Sequence, residues 1–308
     1  RKEDGNFTNT PSETLTTLLN THLGTDSNNI LGPECKLHEI VDRSDYMNFC
    51  NFLNMDILEK AFRSFKPYRS PGPDGIYPIT LQKSFTFAGE KIRTLYLNSM
   101  YTGKVPDTWL EAKVVFIPKP GKKDYMDPKA YRPISLTSFL LKGMEKVVMW
   151  YLHSTSLTYS NMHLNQYAYK KNSSTETALH ELVSDIERAF DKKHHTIVIF
   201  MDVASAFNNA RISSMTNGLI RKGTGHETVR WIKNTLTGRK AIAEICDAQV
   251  SIDVKYGCPQ GAGLSPDLWV CLTEELLDEY SIDIAPIRLY ADDVTLSVSG
   301  PEIKELTA

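Results

Sequence analysis

Two adjacent carboxylates, Asp292 and Asp293, stand between two apolar runs, Pro286-Ile287-Arg288-Leu289 before Tyr290-Ala291 and Val294-Thr295-Leu296-Ser297-Val298 after. Alternating and β-branched residues predict a strand on each side, and the acidic pair predicts the tight turn of a hairpin. This constrains the chain strongly, because a hairpin tip holds both acids rigidly toward one point. Like charges that close repel, and the repulsion is relieved by a bound cation or by a raised carboxylate pKa. On the tetrapeptide alone, an exposed acidic turn and a metal site are both open readings.

A second apolar run, Thr196-Ile197-Val198-Ile199-Phe200-Met201, leads straight into Asp202. Its continuity predicts a strand buried on both faces. A carboxylate at the end of such a strand is costly unless paired or metal-bound, although an Asp there can also cap the following turn. If the two strands lie side by side in one sheet, Asp202, Asp292 and Asp293 are aimed at one spot. An all-carboxylate set favours a hard divalent cation such as Mg²⁺, with Mn²⁺ as a substitute, and leaves positions open for phosphates. Two such ions roughly 3.5–4 Å apart stabilise both the attacking and the leaving oxygen of a phosphoryl transfer. The chemistry implied is nucleotidyl transfer.

The rest of the chain is compatible with that chemistry. Its 308 residues are 41% hydrophobic, enough for two subdomains with their own cores. The net charge of −2 gives no global basic field, so nucleic-acid contact must come from local charge. Such a concentration exists between Glu111 and Lys146, where eight bases face four acids. The five cysteines form no CxxC pair and no His/Cys ligand spacing, which argues against a zinc site or a disulfide framework and for a reducing intracellular setting. No apolar run approaches ~18 residues and no signal peptide is visible, so neither membrane insertion nor secretion is expected.

Along the chain, residues 1–30 are polar and Thr/Asn/Ser-rich around Leu15, Leu18, Leu19 and Leu23, and read as a linker or entry segment. Helices are predicted over Met55–Phe65 and roughly Ile79–Gly103, separated by the loop Lys66-Pro67-Tyr68-Arg69-Ser70-Pro71-Gly72-Pro73-Asp74-Gly75. Lys113–Lys119 and Tyr131–Leu136 read as paired strands around a basic loop. Leu140, Leu141, Met144, Val147, Val148, Tyr151 and Leu152 mark one face of a long amphipathic helix. A second such helix spans Ser174–Lys192, capped by Ser174 or Thr175, with Leu179, Leu182, Val183, Ile186 and Phe190 as its buried stripe. A helix near His226–Leu236, a hairpin over Ala241–Ile245 and Ile252–Tyr256, a loop at Gly257–Gly263 and a helix over Pro266–Tyr280 follow. The layout is α+β.

Phe200-Met201-Asp202-Val203-Ala204-Ser205-Ala206-Phe207 resembles polymerase motif A of reverse transcriptases. Cys258-Pro259-Gln260-Gly261 with Leu264-Ser265-Pro266 resembles motif B, and Tyr290-Ala291-Asp292-Asp293 resembles motif C, in the family's order. Upstream, Ser70–Gly75, Phe116-Ile117-Pro118-Lys119, Tyr131–Leu136 and Asn165-Gln166-Tyr167-Ala168-Tyr169 resemble the finger motifs of non-LTR retrotransposon enzymes. The resemblance covers residues about 55–300.

It implies a right-hand polymerase: residues 31–195 mainly fingers with some palm helices, and residues 196–308 mainly palm, with 211–255 partly fingers. The small antiparallel palm sheet would be backed by helices, and the thumb would be absent. It further implies that Asp202, Asp292 and Asp293, with the carbonyl of Val203, hold two Mg²⁺ ions; that Phe207 is the steric gate under the incoming sugar, selecting deoxynucleotides; and that Gln260 contacts the nucleotide. Phe207 could also be a core aromatic. Arg132 and Lys119 would grip the triphosphate, with Lys113 and Lys122 as alternatives for Lys119 and as nucleic-acid contacts beside Arg69, which would meet template phosphate. A solvated loop is the other reading of these bases. Motif B departs from the commoner family pattern at Ala262 and Gly263.

The expected function is an RNA-directed DNA polymerase core that extends a primer 3′-hydroxyl with dNTPs on an RNA template during retrotransposition. Its partners would be RNA template and DNA primer, within a polypeptide fused to an endonuclease and a thumb, acting in the nucleus at the site of integration. A domesticated or decayed copy that binds nucleic acid without polymerising is an alternative, as is a group II intron or retron-type enzyme. The alanine in motif C and the aromatic at Phe207 speak against an RNA-dependent RNA polymerase.

Overall fold

A computed structural model describes residues 2, 5–24, 43–203, 206–280 and 286–306. Ala204 and Ser205 of the first motif, and Cys35, lie outside the described residues. In chain order the helices are α1 (Pro11–Leu23), α2 (Ser44–Phe52), α3 (Met55–Arg63), α4 (Pro78–Thr102), α5 (Asp107–Leu110), α6 (Phe139–Ser154), α7 (Thr175–Asp191), α8 (Ala206–Asn209), α9 (Ile212–Arg221), α10 (His226–Leu236), α11 (Ser265–Tyr280) and α12 (Ile303–Leu306). The strands are β1 (Glu111–Pro118), β2 (Tyr131–Leu136), β3 (His195–Asp202), β4 (Arg239–Ile245), β5 (Ala248–Val254), β6 (Ile287–Tyr290) and β7 (Asp293–Gly300). The chain is a mixed α+β structure with two small sheets, as its alternating periodicities predict.

The strands fall into a four-stranded sheet, β2-β1-β4-β5, and a three-stranded one, β3-β7-β6. β1 pairs antiparallel with β2, as predicted, and is joined in parallel along Glu111–Lys113 by Lys240–Ile242 of β4. The three-stranded sheet is antiparallel throughout, with the Asp-Asp turn joining β6 to β7.

The largest buried cluster is mainly helical. α6 buries Leu141, Met144, Val147, Val148, Tyr151 and Leu152, so its predicted stripe is the one that packs. Phe62 of α3, Tyr96 of α4, Met215 of α9, Trp231 of α10 and Trp269 of α11 join the same cluster. Full burial of each large apolar side chain contributes about 1.5–3 kcal/mol, so this cluster ties together segments from Phe49 to Cys271.

Three expectations need correction. The segment 1–30 is not only a linker: α1 starts where the Thr10 hydroxyl accepts from the Glu13 N–H and Pro11 presets the first turn. Its leucines Leu15 and Leu19 then pack against Val114, Ala241, Ala243 and Val254 of the four-stranded sheet. The stripe of α7 is buried only at Leu182 and, beside it, Ala189, whereas Leu179, Val183 and Phe190 are exposed. Its periodicity is real, but the sheet meets only a narrow line of the helix. Finally, β3 is an edge strand with Ile199, Phe200 and Met201 exposed, not a strand buried on both faces. A cleft of about 420 Å³ between α7 and the sheet leaves Leu179, Phe200 and Met201 open, and Leu182, Asp202 and Asp293 line it with them.

Candidate active site

The acidic centre is built by strand register. Asp202 ends β3 and lies directly opposite Asp293, which begins β7 and is itself opposite Tyr290 of β6. Directly paired residues share a face, with Cβ atoms about 4.5–5.5 Å apart, so Asp202 and Asp293 are neighbours on one side of the sheet. Asp202, Asp292 and Asp293 are all exposed.

Asp292 occupies the second position of the two-residue turn Ala291-Asp292, outside the strand alternation. The register therefore pairs Asp202 with Asp293 and leaves Asp292 on the turn. Among the described residues, no group of three or more His, Cys, Asp or Glu side chains is gathered so as to hold a metal ion. The donor set still fits a hard divalent cation, because Mg²⁺ is ordinarily held by one or two carboxylates plus water and substrate phosphates rather than by an all-protein cage.

The hairpin tip is fastened at two backbone points. The Val203 N–H donates to the Asp292 carbonyl at 3.1 Å, and the Trp269 indole N–H donates to the Ala291 carbonyl at 2.8 Å. Ala291 itself has φ +56°, a left-handed conformation that costs a residue with a Cβ about 1–2 kcal/mol. Strain of this size at the tip persists only because its surroundings over-determine it.

Phe207 and Gln260 are drawn together by the loop between β5 and α11. The Gly257 N–H donates to the Ala210 carbonyl at 2.7 Å, and the Cys258 N–H to the Phe207 carbonyl at 2.9 Å. A Cβ at Gly257 would meet that Phe207 carbonyl oxygen at 2.4 Å, and its φ is +71°, so both contact and conformation require glycine there. The Phe207 ring, half-buried, packs on Trp269 with centroids 5.4 Å apart. Gln260 is tied to β2 by its carbonyl, which accepts from the Ser135 N–H at 3.3 Å. Burial pushes the Cys258 thiol above its usual range, so it is a neutral packing group here.

The basic residues divide. Arg132 is exposed on β2 opposite Ile117, at the edge of the four-stranded sheet. Lys119 follows β1, and its ammonium donates to the Lys129 carbonyl at 2.9 Å, which folds the basic loop back on itself. Lys122 is exposed within that loop. Lys113 is ion-paired with Glu244 of β4 at 2.5 Å, so it ties two strands of the sheet together. Arg69 is exposed in the Pro-Gly loop, whose Gly72 lies so close to Thr137 and Ser138 that a Cβ would meet their backbone at 2.5–2.6 Å.

Sequence reasoning missed Trp269, Glu145 and Arg239. Glu145 lies four residues after Leu141 and three before Val148, inside the apolar stripe of α6, and an acid on a buried stripe is a signal that could have been followed. Burial raises its carboxyl to about 7, against the opposing effects of the Gly263 N–H, Lys142 and Arg239. Trp269 and Arg239 carried no local signal, because the Ala291, Tyr256 and Gly257 carbonyls they hold come from other segments.

The family model described as reverse transcriptase (RNA-dependent DNA polymerase) matches residues 117–307. The chain is 27% identical over 257 residues to a "Probable RNA-directed DNA polymerase from transposon BS" of Drosophila melanogaster, covering 80% of this chain and 28% of that protein. It is 29% identical over 248 residues to the "Retrovirus-related Pol polyprotein from type-1 retrotransposable element R1" of Bradysia coprophila, covering 80% and 24%. It is 24% identical over 265 residues to the "RNA-directed DNA polymerase from mobile element jockey" of Drosophila funebris, covering 83% and 28%. The chain thus spans about a quarter of the length of these relatives, which are polymerases of non-LTR retrotransposons, as the motifs led one to expect. With a family match over more than half its length, enclosing both acidic strand ends and the loop between them, this chain belongs to the reverse transcriptase family.

Proposed function

We propose that this chain is the fingers–palm core of an RNA-directed DNA polymerase that extends a primer 3′-hydroxyl with deoxynucleotides on an RNA template, within a longer retrotransposon polypeptide. The observation that carries the proposal is the Asp202–Asp293 register, with Asp292 on a tip fastened to Val203 and Trp269. The three-stranded sheet would be the palm and the four-stranded sheet part of the fingers. The pairing of β4 with β1 supports assigning part of 211–255 to the fingers.

Asp202, Asp292, Asp293 and the Val203 carbonyl would hold the divalent ions, two Mg²⁺ or Mn²⁺. Such ions lower the pKa of an attacking hydroxyl and neutralise triphosphate charge. The protein's own part is positional. The fixed hairpin tip keeps the carboxylates from reorganising, and electrostatic groups that are already in place give the largest share of such rate enhancement. Arg132, with a planar guanidinium suited to bidentate phosphate contact, would grip the triphosphate beside Lys119. Arg69 and Lys122 would meet nucleic-acid phosphate, which positions without reading sequence. Lys113, already paired, is the weakest of these candidates. Nuclear action at an integration site, and fusion to a thumb and an endonuclease, are part of the same proposal.

The test is primer extension on an RNA template with Mg²⁺ by a polypeptide containing this chain. Extension that depends on dNTPs and is lost in Asp292→Asn, with template–primer affinity kept, is the expected result. Retained affinity with no extension by the unmodified polypeptide would overturn the enzyme assignment in favour of a binding protein.

A further inference from the structure

The loop joining β5 to α11 is gripped by two buried ionisable side chains that the proposed chemistry does not use. Glu145 on α6 is 3% exposed, and its Oε2 accepts from the Gly263 N–H at 3.2 Å. Arg239, the first residue of β4, is 9% exposed and donates from Nη2 to the carbonyls of Tyr256 at 2.7 Å and Gly257 at 2.6 Å. Its Nε is anchored on the Leu236 carbonyl at 2.8 Å, so the guanidinium plane is fixed from behind. Between these two grips the Ser265 hydroxyl donates to the Pro259 carbonyl at 3.0 Å, and Gln260 is tied to Ser135. Glu145, Arg239, Cys258 and Gln260 line one small cavity.

Burying a carboxylate and a guanidinium is expensive, and a merely structural core would do as well with apolar side chains of the same size. Here both ions direct hydrogen bonds at one loop, at its two ends. Accepting the nucleotide contact at Gln260 that the family resemblance implies, and with it the proposed polymerase function, we propose that Glu145 and Arg239 form a two-ended clamp that sets the conformation of residues 257–263 and so the position of Gln260. Glu145 is then a positioning residue whose grip depends on its charge.

The charged and titratable groups that surround it are Lys142 on its own helix, Arg239 from β4, Cys258 from the loop and Tyr96 from α4. Both cations favour the carboxylate, while burial opposes it and holds its titration near 7. A carboxylate is a stronger acceptor than a carboxylic acid. The clamp therefore tightens as pH rises through that value and loosens below it.

The test uses hydrogen exchange of residues 257–263 in the full chain, corrected for the intrinsic pH dependence of exchange, with dNTP KM for single-nucleotide incorporation measured beside it. In the unmodified protein, loop protection rises about tenfold between pH 6 and pH 8, the scale of one charge-assisted hydrogen bond. Glu145→Gln, which keeps the shape and an acceptor oxygen, abolishes that pH dependence, and Glu145→Ala lowers protection at both pH values. The KM for dNTP follows loop protection, while primer–template affinity does not. Loop protection that keeps its pH dependence in Glu145→Gln would overturn the clamp. Loop protection that responds as expected while KM stays constant would leave the clamp and overturn its link to the nucleotide. That second result separates a failed clamp from a misplaced Gln260, because exchange is measurable without polymerisation.

Discussion

The indole N–H of Trp269 on α11 donates to the carbonyl oxygen of Ala291, 2.8 Å away at the tip of the β6–β7 hairpin. It is the link between the helix that follows the glutamine loop and the turn that carries Asp292. Trp269→Phe keeps an aromatic ring against Phe207 but removes the donor together with part of the buried indole. The expected loss of stability is about 2–3 kcal/mol, one hydrogen bond of about 1 kcal/mol plus the lost packing, with a drop in single-turnover extension that exceeds any drop in template affinity. Urea denaturation and single-turnover kinetics check the two halves. A variant equal to the unmodified protein in both would remove Trp269 from the support of the tip.

Ala291 allows a complementary change. Its φ of +56° is a conformation that glycine adopts freely, whereas glycine also has more unfolded-state entropy to lose. Ala291→Gly is expected to gain up to about 1 kcal/mol net, read as a higher urea midpoint at constant m-value. Extension should fall nonetheless, since the tip gains freedom that the alanine denies it.

The ion pairs of α7 separate a buried contact from an exposed one. Asp185 bonds both Arg288, which is 7% exposed on β6 and also donates to the Ser297 hydroxyl at 3.0 Å, and Arg188 on its own helix, which is exposed. Asp185→Ala leaves the buried Arg288 guanidinium without its counter-charge and should cost about 3 kcal/mol. Arg188→Ala removes only an exposed i,i+3 partner and should cost less than about 1 kcal/mol. Equal losses in thermal or urea unfolding would contradict this placement of Arg288.

How much was legible in the sequence depended on whether the signal was local. The stripe of α6 and the strands either side of Asp292-Asp293 were readable because periodicity and turn chemistry are properties of neighbouring residues. The stripe of α7 was readable as amphipathic, yet Leu179 and Phe190 stand exposed, since periodicity says which face is apolar and not what covers it. The run Thr196–Met201 failed likewise: a continuous apolar strand looks the same whether it is central or at an edge. Helix α1 was hidden by its polar residues, although three of the four leucines noted there, Leu15, Leu18 and Leu19, are those it buries. At the site, Asp202, Asp292 and Asp293 could be found from their strands, while Arg239 and Trp269 act through carbonyls contributed by distant segments and leave no sequence pattern.

The pair of His153 on α6 and Asp267 in the first turn of α11 gives stability a pH dependence. Nε2 of His153 lies 2.8 Å from the buried carboxylate of Asp267, and this hydrogen bond raises the imidazole pKa, with partial burial opposing it. Unfolded, the histidine titrates near its ordinary value of about 6.5. A folded pKa above the unfolded one means that the contribution is fully present below about 6.5 and is lost as pH rises through the higher folded value. The urea midpoint should therefore fall on going from pH 6 upward across that window. His153→Gln should flatten this part of the profile, and an unchanged profile would assign the dependence to other groups.

Phe207 separates a gate from a core aromatic. Its ring is half-buried against Trp269 and its carbonyl receives the Cys258 N–H, so truncation costs packing whatever its role, about 1–3 kcal/mol for a partly buried aromatic. Stability loss alone is thus uninformative. A gate excludes the 2′-hydroxyl by occupying its space, which changes the ratio of ribonucleotide to deoxynucleotide incorporation, whereas a packing residue lowers both equally. Phe207→Val keeps part of the apolar contact and opens the space, and it is expected to raise ribonucleotide incorporation relative to deoxynucleotide by at least about tenfold, equivalent to relieving about 1.4 kcal/mol of steric exclusion. Phe207→Tyr, which refills the space, should keep the unmodified ratio. The ratio from single-nucleotide insertion with matched ribo- and deoxynucleotides decides, and an unchanged ratio in Phe207→Val alongside a lowered urea midpoint would make Phe207 a core residue only.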